Sequence, residues 1–204
     1  MNERTIRRPT GPAVVFLITA LSYFFTVTST ALLTQFMDYS EDMTFSGVLR
    51  TILLGAANLF MGIVLSRRKY NNTLIVGASV LLIPSVFTLF INISPYNISE
   101  IIFYLVFIAF TYIMVKMPET PIKEKAAKFR FIIPLFQFII ILISIIQTMQ
   151  SLYEKLTETM GSPLTDSMNV AIALFPSILG AIAGFLPVLC YVWLANWLAD
   201  PYGK

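Results

Sequence analysis

The sequence predicts an all-α fold, a polytopic integral membrane protein with one six-helix transmembrane bundle and both termini cytoplasmic. Three observations predict it. Of 204 residues, 57 % are hydrophobic and only 12 % charged, about half the charged share of a soluble domain. Apolar runs recur at 13–36, 45–66, 72–94, 100–117, 129–153 and 169–198, and a helix needs roughly 20 apolar residues to cross a bilayer. The bases also alternate between connections. Arg4, Arg7 and Arg8 precede the first run, Arg67, Arg68 and Lys69 follow the second, and Lys123, Lys125, Lys128 and Arg130 lead into the fifth. The intervening connections hold Lys155 as their one base and most of the acids. That is the positive-inside pattern, which five or seven spans would break.

The first run is longer than a signal-peptide core and no convincing small-residue cleavage pattern follows it, so it reads as a retained span. Along it Thr19, Ser22, Tyr23, Thr26, Thr30 and Thr34 recur at helical spacing and form a polar stripe. Hydroxyls in hydrocarbon turn away from lipid, either bonding within the bundle or lining a cavity. The connection 38–44 holds Asp38, Glu41 and Asp42 but lacks the glycine and distal glutamate of an EF-hand loop, and reads as a solvated acidic turn. In the second run Thr51, Gly55, Asn58 and Gly62 share a small or polar face. Arg50 lies about a turn inside that run, where it is expected to snorkel to the headgroups or pair with the acidic turn.

Pro84 sits near the middle of the third run, with Ser85, Thr88 and Asn92 on one face. The fourth run is the shortest. The basic connection after it is expected to lie along the headgroups as an amphipathic lead into the fifth. Gln137, Ser144, Gln147, Thr148 and Ser151 make a third polar stripe, and apolar spacing through Met160 carries that helix beyond the bilayer. The final run has no charge until Asp200. Ser177, Gly180, Gly184 and Tyr191 fall near one face, and Gly180 with Gly184 forms a GxxxG pair that lets another helix approach closely. Pro176 and Pro187 bracket the pair and Trp193 and Trp197 suit the interface, so this helix reads as the post on which the others pack.

Composition also excludes. There is no histidine, which removes His-based zinc, haem and dyad chemistry. The lone Cys190 allows no internal disulfide, and a net charge of +3 is too small and dispersed for nucleic acid. No enzyme chemistry, metal or cofactor is therefore expected. With no Asp or Glu evident deep in a run, proton or sodium coupling is not expected either.

Two functions remain. The first is a small-solute transporter, or the membrane-embedded substrate-binding subunit of one. Its neutral polar cavity would be lined by Thr19, Ser22, Tyr23, Thr26, Thr30, Asn58, Gln137, Ser144 and Gln147 and would hold a small neutral ligand. In size and span count the chain resembles the six-helix substrate-binding components of vitamin-uptake transporters, an architectural likeness from which no residue roles follow. The alternative is a non-catalytic accessory or scaffold subunit of a larger membrane complex. There Gly55, Gly62, Ser177, Gly180 and Gly184 pack helices, and the final helix docks a membrane-protein partner. The lipid bilayer is the partner in either case, and a prokaryotic cytoplasmic (plasma) membrane is the expected compartment. In a eukaryotic endomembrane the N-x-S motifs at Asn92 and Asn97 would become relevant.

Overall fold

A computed structural model describes residues 9–37, 45–67, 70–91, 93–160 and 187–202, with side chains over these ranges except 29–37, 148–149 and 151–160. Among the described residues every regular element is an α-helix. They are α1 (Thr10–Met37), α2 (Phe45–Ser66), α3 (Asn72–Ile91), α4 (Pro95–Lys116), α5 (Pro121–Lys128), α6 (Ile132–Met160) and α7 (Pro187–Ala199). Four of these, α1 to α4, are long and apolar enough to cross a membrane. The pair α5 and α6 meets at a 43° bend and makes a fifth candidate span if taken together, while α7 is a shorter apolar helix. Arg4, Arg7, Arg8, the acidic turn 38–44 and the first part of the last apolar run, with Ser177, Gly180 and Gly184, lie outside the described residues.

The surface matches this reading. Phe25, Phe45 and Phe90 are 74 %, 82 % and 85 % exposed, and Leu21, Ile83 and Leu105 are also exposed. Large apolar patches of this kind are a liability in water and ordinary against acyl chains. In lipid the association of helices depends on close van der Waals fit, because leaving lipid brings no hydrophobic gain.

Glycines supply that fit. A Cβ on Gly55 would come within 2.9 Å of the Phe24 ring. One on Gly62 would come within 2.9 Å of the Leu17 side chain and 3.4 Å of the Ala13 carbonyl oxygen. These pairings run α1 and α2 antiparallel. A Cβ on Gly77 of α3 would reach the Met61 sulfur of α2 at 2.6 Å, so α2 and α3 also meet through a glycine. The order α1–α2–α3–α4 is thus a chain of neighbours, with α6 packed on α4.

The start of α4 differs from the sequence expectation. Ser94 caps it, its Oγ accepting from the Asn97 N–H at 3.2 Å, and Pro95 takes the first helical position. The helix therefore begins ahead of the apolar run and has 22 residues, so it is not the shortest span. At its other end the chain leaves α4 before Pro118, and Thr120 caps α5, with Pro121 again at the first position. No residue of α5 is buried, and its bases point the short helix toward a polar surface.

α7 packs through its aromatic residues against more than one helix. Tyr191 meets Phe16 of α1 at 6.0 Å and Phe103 and Phe107 of α4 at 4.9 and 5.1 Å, each near edge-to-face. Phe103 in turn meets Phe136 of α6 at 5.9 Å. Each such pair contributes about 0.5–1.5 kcal/mol beyond simple burial. Leu194 and Leu198 are fully buried beside it, and the Cys190 thiol lies 3.7 Å from the Pro12 carbonyl oxygen. Past the membrane-facing part, the Tyr70 hydroxyl donates to the Leu198 carbonyl at 2.8 Å, with its ring edge-on to Trp197. One end of the bundle thereby gathers the start of α1, the α2–α3 connection, the α5–α6 bend and the end of α7. It carries Arg67, Lys116, Lys123, Lys125, Lys128 and Arg130, and is called the basic end below.

Two outcomes follow for stability. Gly62→Val forces α1 off α2 and lowers stability by about 1–3 kcal/mol, the usual cost of overpacking, read as a lower unfolding midpoint in detergent, whereas Ile63→Val on the exposed side leaves it unchanged. Burial raises the Tyr70 phenol above its ordinary value. A phenol whose folded value is raised stabilises the fold fully below its unfolded value near 10, and that contribution is lost as pH climbs through the folded value. Tyr70→Phe is thus expected to cost about 0.5–1.5 kcal/mol at neutral pH, and its gap from the unsubstituted protein should narrow above about pH 10.

Candidate functional site

In the polar stripes, the hydroxyls turn back onto their own backbones. Thr19 donates to the Val15 carbonyl at 2.8 Å, Ser22 to Thr19 at 2.7 Å and Thr26 to Ser22 at 2.9 Å. Asn58, buried in α2, donates from Nδ2 to the Leu54 carbonyl at 2.8 Å. Thr51, Ser79, Thr88 and Thr111 do the same one turn back. On α6, Gln137 and Ser144 are half-buried and Gln147 is exposed, and among α1 to α5 that helix packs on α4 rather than on α1 or α2. The side chain of Thr30 lies outside the described ones.

On α1, Tyr23 is brought to charged groups of other helices. It lies in electrostatic reach of Arg50 on α2 and Glu100 on α4. An Arg50 guanidinium nitrogen stands 3.7 Å from Glu100 Oε2, an ion pair too long for a hydrogen bond. Ser85 of α3 lies against the same carboxyl without closing a hydrogen bond, and Tyr96 of α4 sits beside the guanidinium. Four helices therefore contribute to one cluster, about 8 Å along α2 and α4 from their starts at 1.5 Å per residue.

This cluster bears on two sequence expectations. Arg50 pairs across the bundle with Glu100 while its side chain stays 32 % exposed, and the acidic turn lies outside the described residues. An acid does stand inside a candidate span, because the Ser94–Pro95 cap draws residues before the apolar run into α4 and Glu100 becomes its sixth residue, 9 % exposed. The signal that locates it was the cap itself, Ser94 followed by Pro95 and Asn97, a helix-start pattern.

Three polar atoms in the cluster are buried without a hydrogen-bond partner: Arg50 Nε, Ser85 Oγ and Glu100 Oε2. Each such group carries a desolvation cost of about 1–3 kcal/mol, more when charged, and buried native polar groups are nearly always satisfied. The cluster presents a donor, an acceptor and a hydroxyl that does either, around a pair with no net charge. Chemically it suits a small polar molecule that is itself net neutral and carries both a donor and an acceptor.

Among the described residues, two cavities border the basic end. One, of about 440 Å³, is bordered by Gly11, Arg130, Trp193, Asn196, Trp197 and Asp200. The other, of about 400 Å³, runs between Lys128, Arg130 and Phe131 on one side and Val192, Ala195 and Asn196 on the other. Arg130 borders both and is fixed there, its Nε donating to Asn196 Oδ1 at 2.6 Å. None of the stripe residues borders either cavity. No known protein family, curated protein or solved structure matches the chain.

The pair predicts an asymmetry. Arg50→Leu leaves Glu100 as a buried lone charge and destabilises, by less than the about 3–5 kcal/mol of a fully buried pair, since the Arg50 side chain is 32 % exposed. The double variant Arg50→Leu/Glu100→Leu should recover most of the loss in the same unfolding measurement.

Proposed function

We propose that this chain is a membrane transporter of small, net-neutral polar solutes, or the membrane-embedded substrate-binding subunit of one. The observation that carries the reading is the cluster of Arg50, Ser85 and Glu100, with three buried polar atoms left unpartnered inside an apolar bundle. Ionisable groups within spanning segments are costly and mark ligand paths and relays far more often than they mark packing. Tyr23 and Tyr96 flank the pair and would orient the solute. Arg50, with its side chain 32 % exposed, gives the cluster a side toward the surface from which a solute would reach it. The reading includes no catalytic step.

Six spans complete the proposal. α1 to α4 are the first four, the bent pair α5 and α6 is the fifth, and the last apolar run ending in α7 is the sixth. The bases gathered with the N-terminal part of α1 and the end of α7 favour cytoplasmic termini by the positive-inside rule. A cytoplasmic membrane fits the brief connections.

One observation favours the scaffold alternative. The stripe hydroxyls are satisfied within their own helices, as in a bundle that only packs. Reconstituted vesicles separate the two readings. With a panel of labelled zwitterionic amino acids and small sugars, uptake of at least one solute is expected. Glu100→Gln and Arg50→Gln should each lower it by about tenfold or more, the weight of one charge-assisted hydrogen bond, while Ser79→Ala leaves it intact. Folded Glu100→Gln and Arg50→Gln proteins that transport at the original rate would sink the transporter reading. A stoichiometric membrane protein co-purifying with a chain that moves no solute would establish the scaffold.

A further inference from the structure

We propose that the cleft between the α5–α6 bend and α7 holds the phosphate headgroup of an anionic phospholipid, bound by Lys128 and Arg130. The cleft belongs to the basic end and is separate from the cluster around Glu100, so the inference stands or falls apart from the transport reading.

Three features carry it. The cleft is a concavity of about 400 Å³ with two bases and an amide, Lys128, Arg130 and Asn196, and no acid among its described lining residues. Its neighbour differs on this point, because Asp200 borders that cavity and repels an anion. Second, Arg130 is preorganised. Its Nε donates to Asn196 Oδ1 and a terminal nitrogen donates to the Ala127 carbonyl at 3.4 Å, so the fork is held at the cleft without an acidic partner in either bond. A fixed guanidinium matches a phosphate's geometry and loses little freedom on binding it.

Third, the surroundings are built for acyl chains as well as for a headgroup. Phe129 and Phe131 are 54 % and 55 % exposed beside the bases, and Ile132 and Leu135 continue the apolar surface down α6. The α5 helix, with Lys125 and Lys128 and nothing buried, turns 43° from α6 at the polar end of that candidate span, the level at which headgroups are expected. A soluble phosphate would use the bases alone. A lipid uses both the bases and the exposed rings, which is why the lipid is the occupant the geometry favours.

The test uses an optical handle in the sequence. Its two tryptophans, Trp193 and Trp197, both border the adjoining cavity, and Asn196 and Arg130 are shared between the two. The full chain in neutral-detergent micelles is titrated with phosphatidylglycerol, with phosphatidylcholine of the same chains, and with glycerol phosphate, while tryptophan emission is followed. Phosphatidylglycerol should give a saturable change that phosphatidylcholine and glycerol phosphate do not. Lys128→Gln should raise the half-saturating concentration roughly fivefold and Lys128→Gln/Arg130→Gln about 25-fold, taking each base near an anionic headgroup at its usual weight. Lys128→Arg should bind within about twofold of the original, since the charge near the headgroup is kept. Lys128 makes none of the bonds that fix Arg130, so Lys128→Gln with an unchanged unfolding midpoint keeps the result readable if the double variant fails to fold. The proposal is overturned if phosphatidylcholine binds equally, if glycerol phosphate gives the same response, or if a folded Lys128→Gln protein binds as before.

Discussion

Tyr191 sits where α1, α4 and α7 meet, and the arrangement of the described helices depends on that junction. Its ring is edge-on to Phe16, Phe103 and Phe107, and Phe103 extends the contact to Phe136 on α6. Acyl chains are as apolar as leucine, so a membrane bundle is held by shape and by the electrostatics of aromatic faces and edges. A large flat side chain placed among other rings supplies both. The glycines at 55, 62 and 77 do the complementary task, removing bulk where α1, α2 and α3 need to approach. The sequence stripe that placed Tyr191 among small residues reads differently in this light, because its ring fills the junction.

What was legible in the sequence, and what was not, divides along physical lines. Long apolar runs announce helices without help from tertiary context, which is why α1, α2 and α3 begin and end close to where hydropathy places them. Glycines on a helical face announce close approach, and Gly55 and Gly62 stand against Phe24 and Leu17. Polar periodicity is weaker evidence. A threonine stripe looks the same whether its hydroxyls face a cavity or fold back to the preceding turn, and Thr19, Ser22 and Thr26 fold back. The Arg50–Glu100 pair was hidden for another reason. Its partners are 50 positions apart, and Glu100 stands at the very start of the apolar run, where hydropathy places a span edge while the Ser94 cap places it about a turn and a half inside a helix.

The pair also shows how a bundle of this kind tolerates charge. Arg50 and Glu100 are brought together by α2 and α4, which are not successive helices, with Ser85 of α3 between them. Their 3.7 Å separation leaves Coulomb attraction in place while leaving donor and acceptor unsaturated. A tighter pair would complete its own hydrogen bonds and have nothing to offer a ligand. The fold accepts an imperfect contact here, amid faces that are otherwise well satisfied.

The inward-folded hydroxyls have a mechanical side. Because Thr19, Ser22, Thr51, Ser79, Thr88 and Thr111 bond along their own axes, gliding of one rod past another at those faces ruptures none of these links. Of the ties between elements named above, Arg50 to Glu100 sits near one rim and Tyr70 to Leu198 and Arg130 to Asn196 near the other. Registration along the length of such an assembly then falls to knobs seated over Gly55, Gly62 and Gly77 and to the rings around Tyr191, so any sliding has to step from one notch to the next.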